Sequence, residues 1–108
     1  MIDLYQAEWC PHSHRVRQRL TELSLDFVAH QVPVDPAERA ELERATGRRS
    51  IPTLVLDDGS VLAGDDEILA TLDRCFPESA EASRHRAKAV EEWPEWLRLA
   101  PELTRAAQ

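Results

Sequence analysis

The sequence predicts an α/β fold in which a mixed sheet is flanked by helices. Short apolar, strand-like segments alternate with amphipathic segments along the first half of the chain, an order typical of a parallel β-α-β unit. Two further strand-like segments are joined by the turn-forming residues 57–60, so an antiparallel hairpin is expected to complete the sheet. With 108 residues, the chain is long enough for one hydrophobic core and too short for two.

The first three elements make up the β-α-β unit. Residues 2–5 are a short apolar run, which predicts a strand at least half-buried in the sheet. From residue 11 to residue 25, apolar side chains recur at helical spacing between charged ones, which predicts an amphipathic helix. Its apolar stripe consists of Val16, Leu20 and Leu23. Residues 26–32 predict the second strand, which ends before Pro33.

A second helix and the hairpin follow. Asp35 and Pro36 supply an N-cap and a first-turn proline, and Gly47 supplies a stop, so these signals predict one mostly exposed helix between them. Residues 51–56 and 61–63 predict the two strands of the hairpin. The sheet is therefore expected to contain four strands.

The third predicted helix begins at Gly64 or Asp65 and ends before Pro77. Its apolar stripe consists of Ile68, Leu69, Leu72, Cys75 and Phe76. Because Cys75 belongs to this stripe, we expect it to be a small buried hydrophobic residue. A role as a second, resolving thiol is the alternative.

Residues 78–108 are helical in character but contain Pro94 and Pro101. Because a proline inside a helix costs about 3 kcal/mol, we predict one helix over residues 79–93 and a shorter one beginning near Pro94. The chain is accordingly divided into a domain over residues 1–77 and a C-terminal helical extension over residues 78–108. The tryptophans of the extension are expected to pack back on the sheet, with a partner-docking surface as the alternative.

Composition narrows the classes of partner. The net charge of −7 argues against nucleic acid, and no apolar run approaches the roughly 20 residues of a membrane span. Cys10 and Cys75 do not form a disulfide framework, which favours a reducing cytoplasm. The histidines show no metal-ligand spacing, so no metal is expected. The sequence leaves the oligomeric state open.

The segment Trp9-Cys10-Pro11-His12-Ser13 carries the most chemistry. Cys10 stands between the first strand and the first helix, where unpaired N–H groups and the helix dipole stabilise a thiolate. Pro11 suits the first helical position. Ser13 stands where a second cysteine would complete a C-x-x-C redox pair. The segment therefore predicts a thiol–disulfide exchange site with one cysteine.

Two windows of this acidic chain contain arginine and no acid. Residues 9–21 hold Arg15, Arg17 and Arg19, and residues 46–56 hold Arg48 and Arg49. Such basic patches suit a small anion if the fold brings them together, whereas solvated helix faces are the ordinary alternative.

Three motifs, in order along residues 1–77, resemble those of glutaredoxins and of the N-terminal domain of glutathione transferases. Cys10-Pro11-His12-Ser13 resembles the glutaredoxin C-P-[YF]-[CS] site, with His12 where an aromatic residue is usual. The run from Thr46 to Pro52 is similar to T-G-x-R-[TS]-[VI]-P, and Gly64-Asp65-Asp66 resembles the G-x-D-D segment. The resemblance implies a thioredoxin-like, glutaredoxin-type fold: a four-stranded mixed sheet with flanking helices, followed here by the C-terminal helical extension.

The resemblance also implies glutathione as co-substrate. The Ile51–Pro52 bond is expected to be cis, so that the backbone of Ile51 pairs with an extended glutathione. The resemblance also implies that a guanidinium binds the glycyl carboxylate and helps to hold the thiolate. Arg49 matches the family position, and Arg48 and Arg15 are the alternatives.

The same resemblance assigns the γ-glutamyl end of glutathione to the start of the third helix. The backbone N–H of Asp65 would bind its carboxylate, and the side chain of Asp65 or Asp66 its ammonium. Capping of the helix by both aspartates is the alternative. His12 is expected to be a solvent-facing replacement for the aromatic residue; the alternatives are that it stacks on the ligand or passes a proton to a leaving thiolate. Ser13 would donate a hydrogen bond to the thiolate or simply occupy the second helical position.

The activity implied is monothiol exchange. The Cys10 thiolate would attack the glutathione sulfur of a glutathionylated protein, and a second glutathione would regenerate it. Glutathione transfer to electrophiles is an alternative, against which the absence of an all-helical domain counts. A non-enzymatic interaction module is another. Iron–sulfur binding is disfavoured, because monothiol glutaredoxins that bind clusters usually have Gly-Phe where this chain has Pro11-His12. Arsenate reductase-like proteins share the C-x-x-S start but fit the later motifs less well.

Overall fold

Four strands form a single mixed sheet in the order β2-β1-β3-β4 in the computed structural model, which describes residues 1–99. The strands are β1 (Ile2–Gln6), β2 (Phe27–Gln31), β3 (Thr53–Val55) and β4 (Val61–Ala63). β1 pairs in parallel with β2 and antiparallel with β3, which pairs antiparallel with β4. This confirms the thioredoxin-like arrangement that the order of elements predicted.

One face of the sheet carries the core. Alternate residues of β1, namely Ile2, Leu4 and Gln6, are buried, because successive side chains of a strand point to opposite faces. Helices α1 (Pro11–Glu22) and α3 (Asp65–Cys75) pack together beside this face. The core cluster consists of Ile2, Leu4, Val16, Leu20, Leu23, Leu54, Ile68 and Leu72. The stripe predicted for α1 is therefore confirmed.

The helix predicted between Asp35 and Gly47 is wrong as a single element. A 3-10 turn at Pro36–Glu38 is followed by α2 (Ala40–Thr46), and the two are separated at Arg39. Arg39 is buried, and its guanidinium donates to three backbone carbonyls on either side of this segment, those of Pro33, Val34 and Arg49. These hydrogen bonds stabilise the break between the two helical turns. Asp35 still caps the turn, and Gly47, at φ +76°, ends α2.

Cys75 is exposed, so its predicted burial is wrong. Helical spacing does place residue 75 on the same face as Ile68 and Leu72, both of which are fully buried. Cys75 is the last residue of α3, however, and the strands that this helix contacts, β3 and β4, are only three residues long. Phe76, beyond the helix, packs against the core in its place.

Helix α4 (Ala82–Leu99) runs without interruption through Pro94, so the predicted helix boundary there is wrong. Pro94 removes the hydrogen bond to the carbonyl of Val90, but Val90 is 77% exposed and water can bind that carbonyl instead. Residues 100–108, which include Pro101, lie outside the described residues, and the division of the chain at residue 77 stays a prediction. Between residues 1 and 99, no helix is long and apolar enough to cross a membrane.

α4 packs along α1 and not on the sheet, which corrects the expectation for the tryptophans. At one end of this contact, the buried carboxylate of Glu22 accepts hydrogen bonds from Gln18, Arg19 and Arg86. Arg19 and Arg86 both also bind Glu78, in the connection between α3 and α4. This set of charges, here called the Glu22 network, fixes the start of α4 against the last turn of α1.

Candidate functional site

Three segments meet where β1 ends, and they are the segments that carry the three sequence motifs. Tyr5 of β1 pairs with Thr53 of β3, so the preceding Pro52 lies beside the chain that leaves β1. The N–H of Gly64 donates to the carbonyl of Pro52 at 3.0 Å, which brings the start of α3 to the same place. Cys10, at the start of α1, completes the group.

Cys10 is the N-cap residue of α1. Its extended backbone (φ −82°, ψ 118°) directs Sγ back over the first turn, where the N–H of Ser13 donates to it at 3.4 Å. The side chain is only 6% exposed. Serine and aspartate oxygens usually fill this capping position. In Cys10 the sulfur takes this place, so it accepts from a backbone N–H and faces the positive end of the helix dipole.

Ser13 supports the turn that carries Cys10. It is fully buried, and its hydroxyl accepts a hydrogen bond from the N–H of Ala7 at 3.4 Å, while the N–H of Cys10 donates to the carbonyl of Ala7. Its contact with sulfur is through its backbone N–H, and it is the third helical residue and not the second. Its predicted catalytic role stays a prediction.

His12 and Arg15 bind the start of α3, an arrangement that the sequence did not predict. His12 Nδ1 lies 2.9 Å from Asp65 Oδ2, and Arg15 binds Asp65 at 2.5 Å and Asp66 at 3.3 Å. The hydrogen bond from His12, followed by that from Arg15, lowers the pKa of Asp65 below its ordinary value. The partners are 50 to 53 residues apart in sequence, and periodicity within one element cannot predict such a contact.

The Ile51–Pro52 peptide bond is cis, as expected. The neighbouring carbonyls are engaged, because Ser50 accepts from the Thr53 hydroxyl and Pro52 accepts from the N–H of Gly64. Within residues 1–99, the N–H and C=O of Ile51 make no hydrogen bond. An extended ligand can therefore pair with this backbone as an added strand would.

The three arginines of the first acid-free window, residues 9–21, are each bound by acids that lie outside the window. Arg17 binds Gln6 and Glu8, Arg19 binds Asp73 as well as the Glu22 network, and Arg15 binds the aspartates of α3. The windows therefore do not form a free basic patch, because acids distant in sequence neutralise the first of them.

Arg49 reinforces the chain that precedes Ile51. Its guanidinium binds Glu43 at 2.6 Å and donates to the carbonyls of Pro36 and Ala37. Arg48 is exposed on the same connection. A role for either in binding a ligand carboxylate stays a prediction.

A cavity of about 380 Å³ adjoins Cys10 on the side away from α3. Pro11, His14 and Gln18 of α1 form one wall, and Trp93 and Trp96 of α4 form the other. The two indoles are stacked, with ring centroids 4.9 Å apart and planes within 8°. The sequence did not predict this aromatic wall, because Pro94 was taken to end the helix between the two tryptophans.

Comparison with known proteins supports the same fold. Residues 9–75 match the family model described as glutathione S-transferase, N-terminal domain. A glutaredoxin of Pseudomonas aeruginosa is 32% identical over 65 residues, which cover 60% of this chain and 77% of that protein.

Solved structures of transferases superpose on more of the chain. A glutathione S-transferase from Rhodospirillum rubrum aligns with a TM-score of 0.62 and 25% identity, over 86% of this chain and 44% of the transferase. A Burkholderia glutathione transferase homologue with bound glutathione aligns with a TM-score of 0.56 and 26% identity, over 70% of this chain and 39% of its own. The chain thus spans less than half the length of these transferases.

Proposed function

The chain belongs to the thioredoxin-like family of glutaredoxins and glutathione S-transferase N-terminal domains, and on that premise we propose that it is a glutathione-dependent thiol–disulfide oxidoreductase with Cys10 as its reactive thiol. The observation that carries the proposal is the sulfur of Cys10 at the N-cap of α1, hydrogen-bonded to the N–H of Ser13. A reducing compartment that supplies glutathione, such as the cytoplasm, is part of the proposal.

The exchange proceeds in two steps. The Cys10 thiolate attacks the glutathionyl sulfur of a mixed disulfide, a Cys10–glutathione disulfide forms, and the second half of the substrate leaves as a thiolate. The thiolate of a second glutathione then attacks the glutathionyl sulfur on Cys10, which releases oxidised glutathione and restores the Cys10 thiolate. In sum, the mixed disulfide and one glutathione become the free thiol of the substrate and oxidised glutathione, and no second protein thiol is needed.

Glutathione would bind across the three converging segments. Its backbone would pair with the free N–H and C=O of Ile51, and its γ-glutamyl carboxylate would accept from the N–H groups at the start of α3. Asp66, whose side chain is 94% exposed, suits the ammonium better than Asp65, whose carboxylate His12 and Arg15 already bind. Arg48 or Arg49 would bind the glycyl carboxylate.

His12 is the proposed proton donor to the leaving thiolate. It follows Cys10 by two residues, its side chain is 63% exposed, and Asp65 holds its Nδ1. A carboxylate that binds one ring nitrogen orients the imidazole and leaves the other nitrogen for proton transfer. Glutathionylated proteins are the proposed substrates in the first instance, because they expose the disulfide on a surface.

Transfer of glutathione to an electrophile is the second candidate. The apolar cavity beside Cys10 favours it, because an electrophile bound there would lie next to the sulfur of glutathione. The superposed transferases are consistent with this activity.

The decisive experiment measures turnover of a glutathionylated peptide with excess glutathione. We expect activity in the wild type and in Cys75→Ser, and its loss in Cys10→Ser. Mass spectrometry should detect glutathione on Cys10 when the second glutathione is withheld. A wild type that does not turn over the peptide, yet conjugates glutathione to an aryl halide, would replace the first function by the second.

A further inference from the structure

One guanidinium, that of Arg15, bridges the two aspartates at the start of α3, where the ammonium of glutathione is proposed to bind. We propose that Arg15 takes the place of that ammonium, so that the site does not select for a free amino group. Thiols whose amine is acylated then bind as well as glutathione does, and their mixed disulfides belong to the substrate class. This inference rests on the proposed exchange function and concerns the specificity of the same site.

The carboxylate of Asp65 is already engaged. Its Oδ2 accepts from Arg15 Nη1 at 2.5 Å and lies 2.9 Å from His12 Nδ1, so two partners share one oxygen. The side chain is only 14% exposed, which limits the approach of a third donor. A ligand ammonium would therefore pair with Asp65 only after displacing Arg15 or His12.

Asp66 gives an ammonium little in its place. Its side chain is 94% exposed, and an exposed ion pair changes an affinity by about fivefold at most. Arg15 Nη1 lies 3.3 Å from Asp66 Oδ1, so an ammonium on that carboxylate would lie beside a guanidinium of the same charge. Because this repulsion opposes the ion pair, we expect a free amine to improve binding by no more than about threefold.

Both partners of the pair between Arg15 and Asp65 stay charged around neutral pH. Hydrogen bonds to Asp65 and Asp66 raise the pKa of the Arg15 guanidinium, which is protonated at every ordinary pH. Hydrogen bonds from His12 and Arg15 lower the pKa of Asp65. Since neither group titrates near neutrality, a moderate change of pH does not release the carboxylate for a ligand.

An acylated amine suits the remaining atoms of Arg15. Within residues 1–99, only Nη1 of this guanidinium makes a hydrogen bond, which leaves the N–H groups of Nε and Nη2 free to donate. The side chain is 52% exposed, so a ligand can reach them. An ammonium has donors only and cannot accept from these groups, whereas the carbonyl oxygen of an amide can. The donors at this end of the site therefore match an acylated amine.

The chemistry is the same two-step exchange, with an acylated thiol in place of glutathione. The Cys10 thiolate attacks the sulfur of that thiol in a mixed disulfide, and the other half leaves as a thiolate. The thiolate of a second molecule of the acylated thiol then attacks the same sulfur. This step restores the Cys10 thiolate and releases the symmetrical disulfide of the acylated thiol.

Binding of two unreactive thioethers tests the inference without turnover. S-methylglutathione and its N-acetyl derivative differ only at the amine, and calorimetry gives the Kd of each. In the wild type, the acetyl compound should bind no more than about threefold less tightly. In Arg15→Ala, the free-amine compound should bind about tenfold more tightly than the acetyl compound, because Asp65 and Asp66 can then pair with its ammonium. The wild-type ratio tests the proposal even if the variant fails to fold.

Arg74→Ala is the matched control, because it removes the same charge from the last turn of α3, where Arg74 donates to Ala70 and Thr71. It should keep the wild-type ratio of Kd values. A free-amine preference above about threefold in the wild type, an unchanged ratio in Arg15→Ala, or the same change in Arg74→Ala would each overturn the role of Arg15. Failure of both thioethers to bind would overturn the ligand site itself.

Turnover separates this inference from the function on which it rests. A glutathionylated peptide and the same peptide carrying N-acetylglutathione would be assayed, each with its own thiol in excess. In the wild type, kcat/KM for the acetyl substrate should be no more than about threefold lower. Turnover of the glutathionylated peptide alone would overturn the substrate class and leave the exchange function intact. Turnover of neither peptide would overturn the exchange function, and the substrate class with it.

Discussion

The substitution Glu22→Gln should weaken the attachment of α4 and lower the free energy of unfolding by about 2 kcal/mol. The Glu22 side chain is 7% exposed and its carboxylate accepts from Gln18 at 3.1 Å and from Arg19 and Arg86 at 2.8 Å each. Breaking a buried ion pair costs about 3–5 kcal/mol when the remaining charge is left alone. Here the cost is smaller, because both guanidinium groups keep Glu78 as a partner and Arg86 is 45% exposed.

The Glu22 network also determines whether the free energy of unfolding rises or falls with pH. A carboxylate whose pKa is lower in the folded chain stabilises the fold above its unfolded pKa, and this contribution is lost as the pH falls through the folded value. Hydrogen bonds from Arg86 and Arg19 lower the pKa of Glu78 from 4.5 to about 2. Burial acts to raise the pKa of Glu22, but the bonds from Gln18, Arg19 and Arg86 outweigh it. Wild-type stability should therefore decline between about pH 4.5 and pH 2, and Glu22→Gln should decline less steeply.

Urea unfolding followed by circular dichroism measures both effects. The matched control is Glu91→Gln, because Glu91 is 68% exposed and binds Lys88 at 3.3 Å, so its loss should cost less than about 0.5 kcal/mol. The slope of the free energy with urea should not change in either variant. If Glu22→Gln is as stable as Glu91→Gln at pH 7, or if both follow the wild-type pH curve, the network does not fix α4 as argued here.

Three further predictions concern the core, the exposed thiol and the start of α3. Leu72 is fully buried, so Leu72→Ala should lower the free energy of unfolding in urea by about 3 kcal/mol. Leu69→Ala, at a half-buried position, should lower it clearly less, and equal losses would contradict the assigned face of α3. Cys75 should react with iodoacetamide in the native protein at the rate of an unhindered thiol and without loss of turnover, as peptide mass mapping would show; protection until unfolding would contradict its exposure. Asp65→Asn should free His12 and Arg15 and raise the KM for glutathione severalfold while changing kcat less, and an unchanged KM would remove Asp65 from the ligand site.

Periodicity and turn chemistry were sufficient to predict the architecture. The apolar residues of α1 recur at i, i+4 and i+7, and those of β1 alternate, so both patterns identify the buried side of the element. Knowing these sides was sufficient to predict a sheet with helices packed against it. The position of Cys10 at the N-cap follows from the same local signals, because the strand ends and Pro11 begins the helix. Most of the candidate site is therefore local in origin.

The wrong predictions have a common physical cause, since each depended on a contact beyond the local sequence. Cys75 belongs to the apolar face of α3, but burial also requires another element packed against that face, and at this last residue of the helix the side chain is exposed. The arginine-only windows suggested a basic patch, but Arg15 binds Asp65, 50 residues away, and Arg19 binds Asp73, 54 residues away. Periodicity describes one element at a time and carries no information on what another element brings to it.

Pro94 shows how such an error can conceal the surface that surrounds Cys10. The local rule ends the helix at residue 93, and with that boundary Trp96 has no defined direction. In the structure the helix continues, so Trp93 and Trp96 are three residues apart on one face and stack beside Cys10. The cost of Pro94 falls on the carbonyl of Val90, an exposed residue, where water limits the loss. Arg86, two turns earlier, binds the same helix to α1. Because the helix continues through Pro94 from that point, the tryptophans lie beside the thiol; a helix that ended at Pro94 would not place Trp96 there.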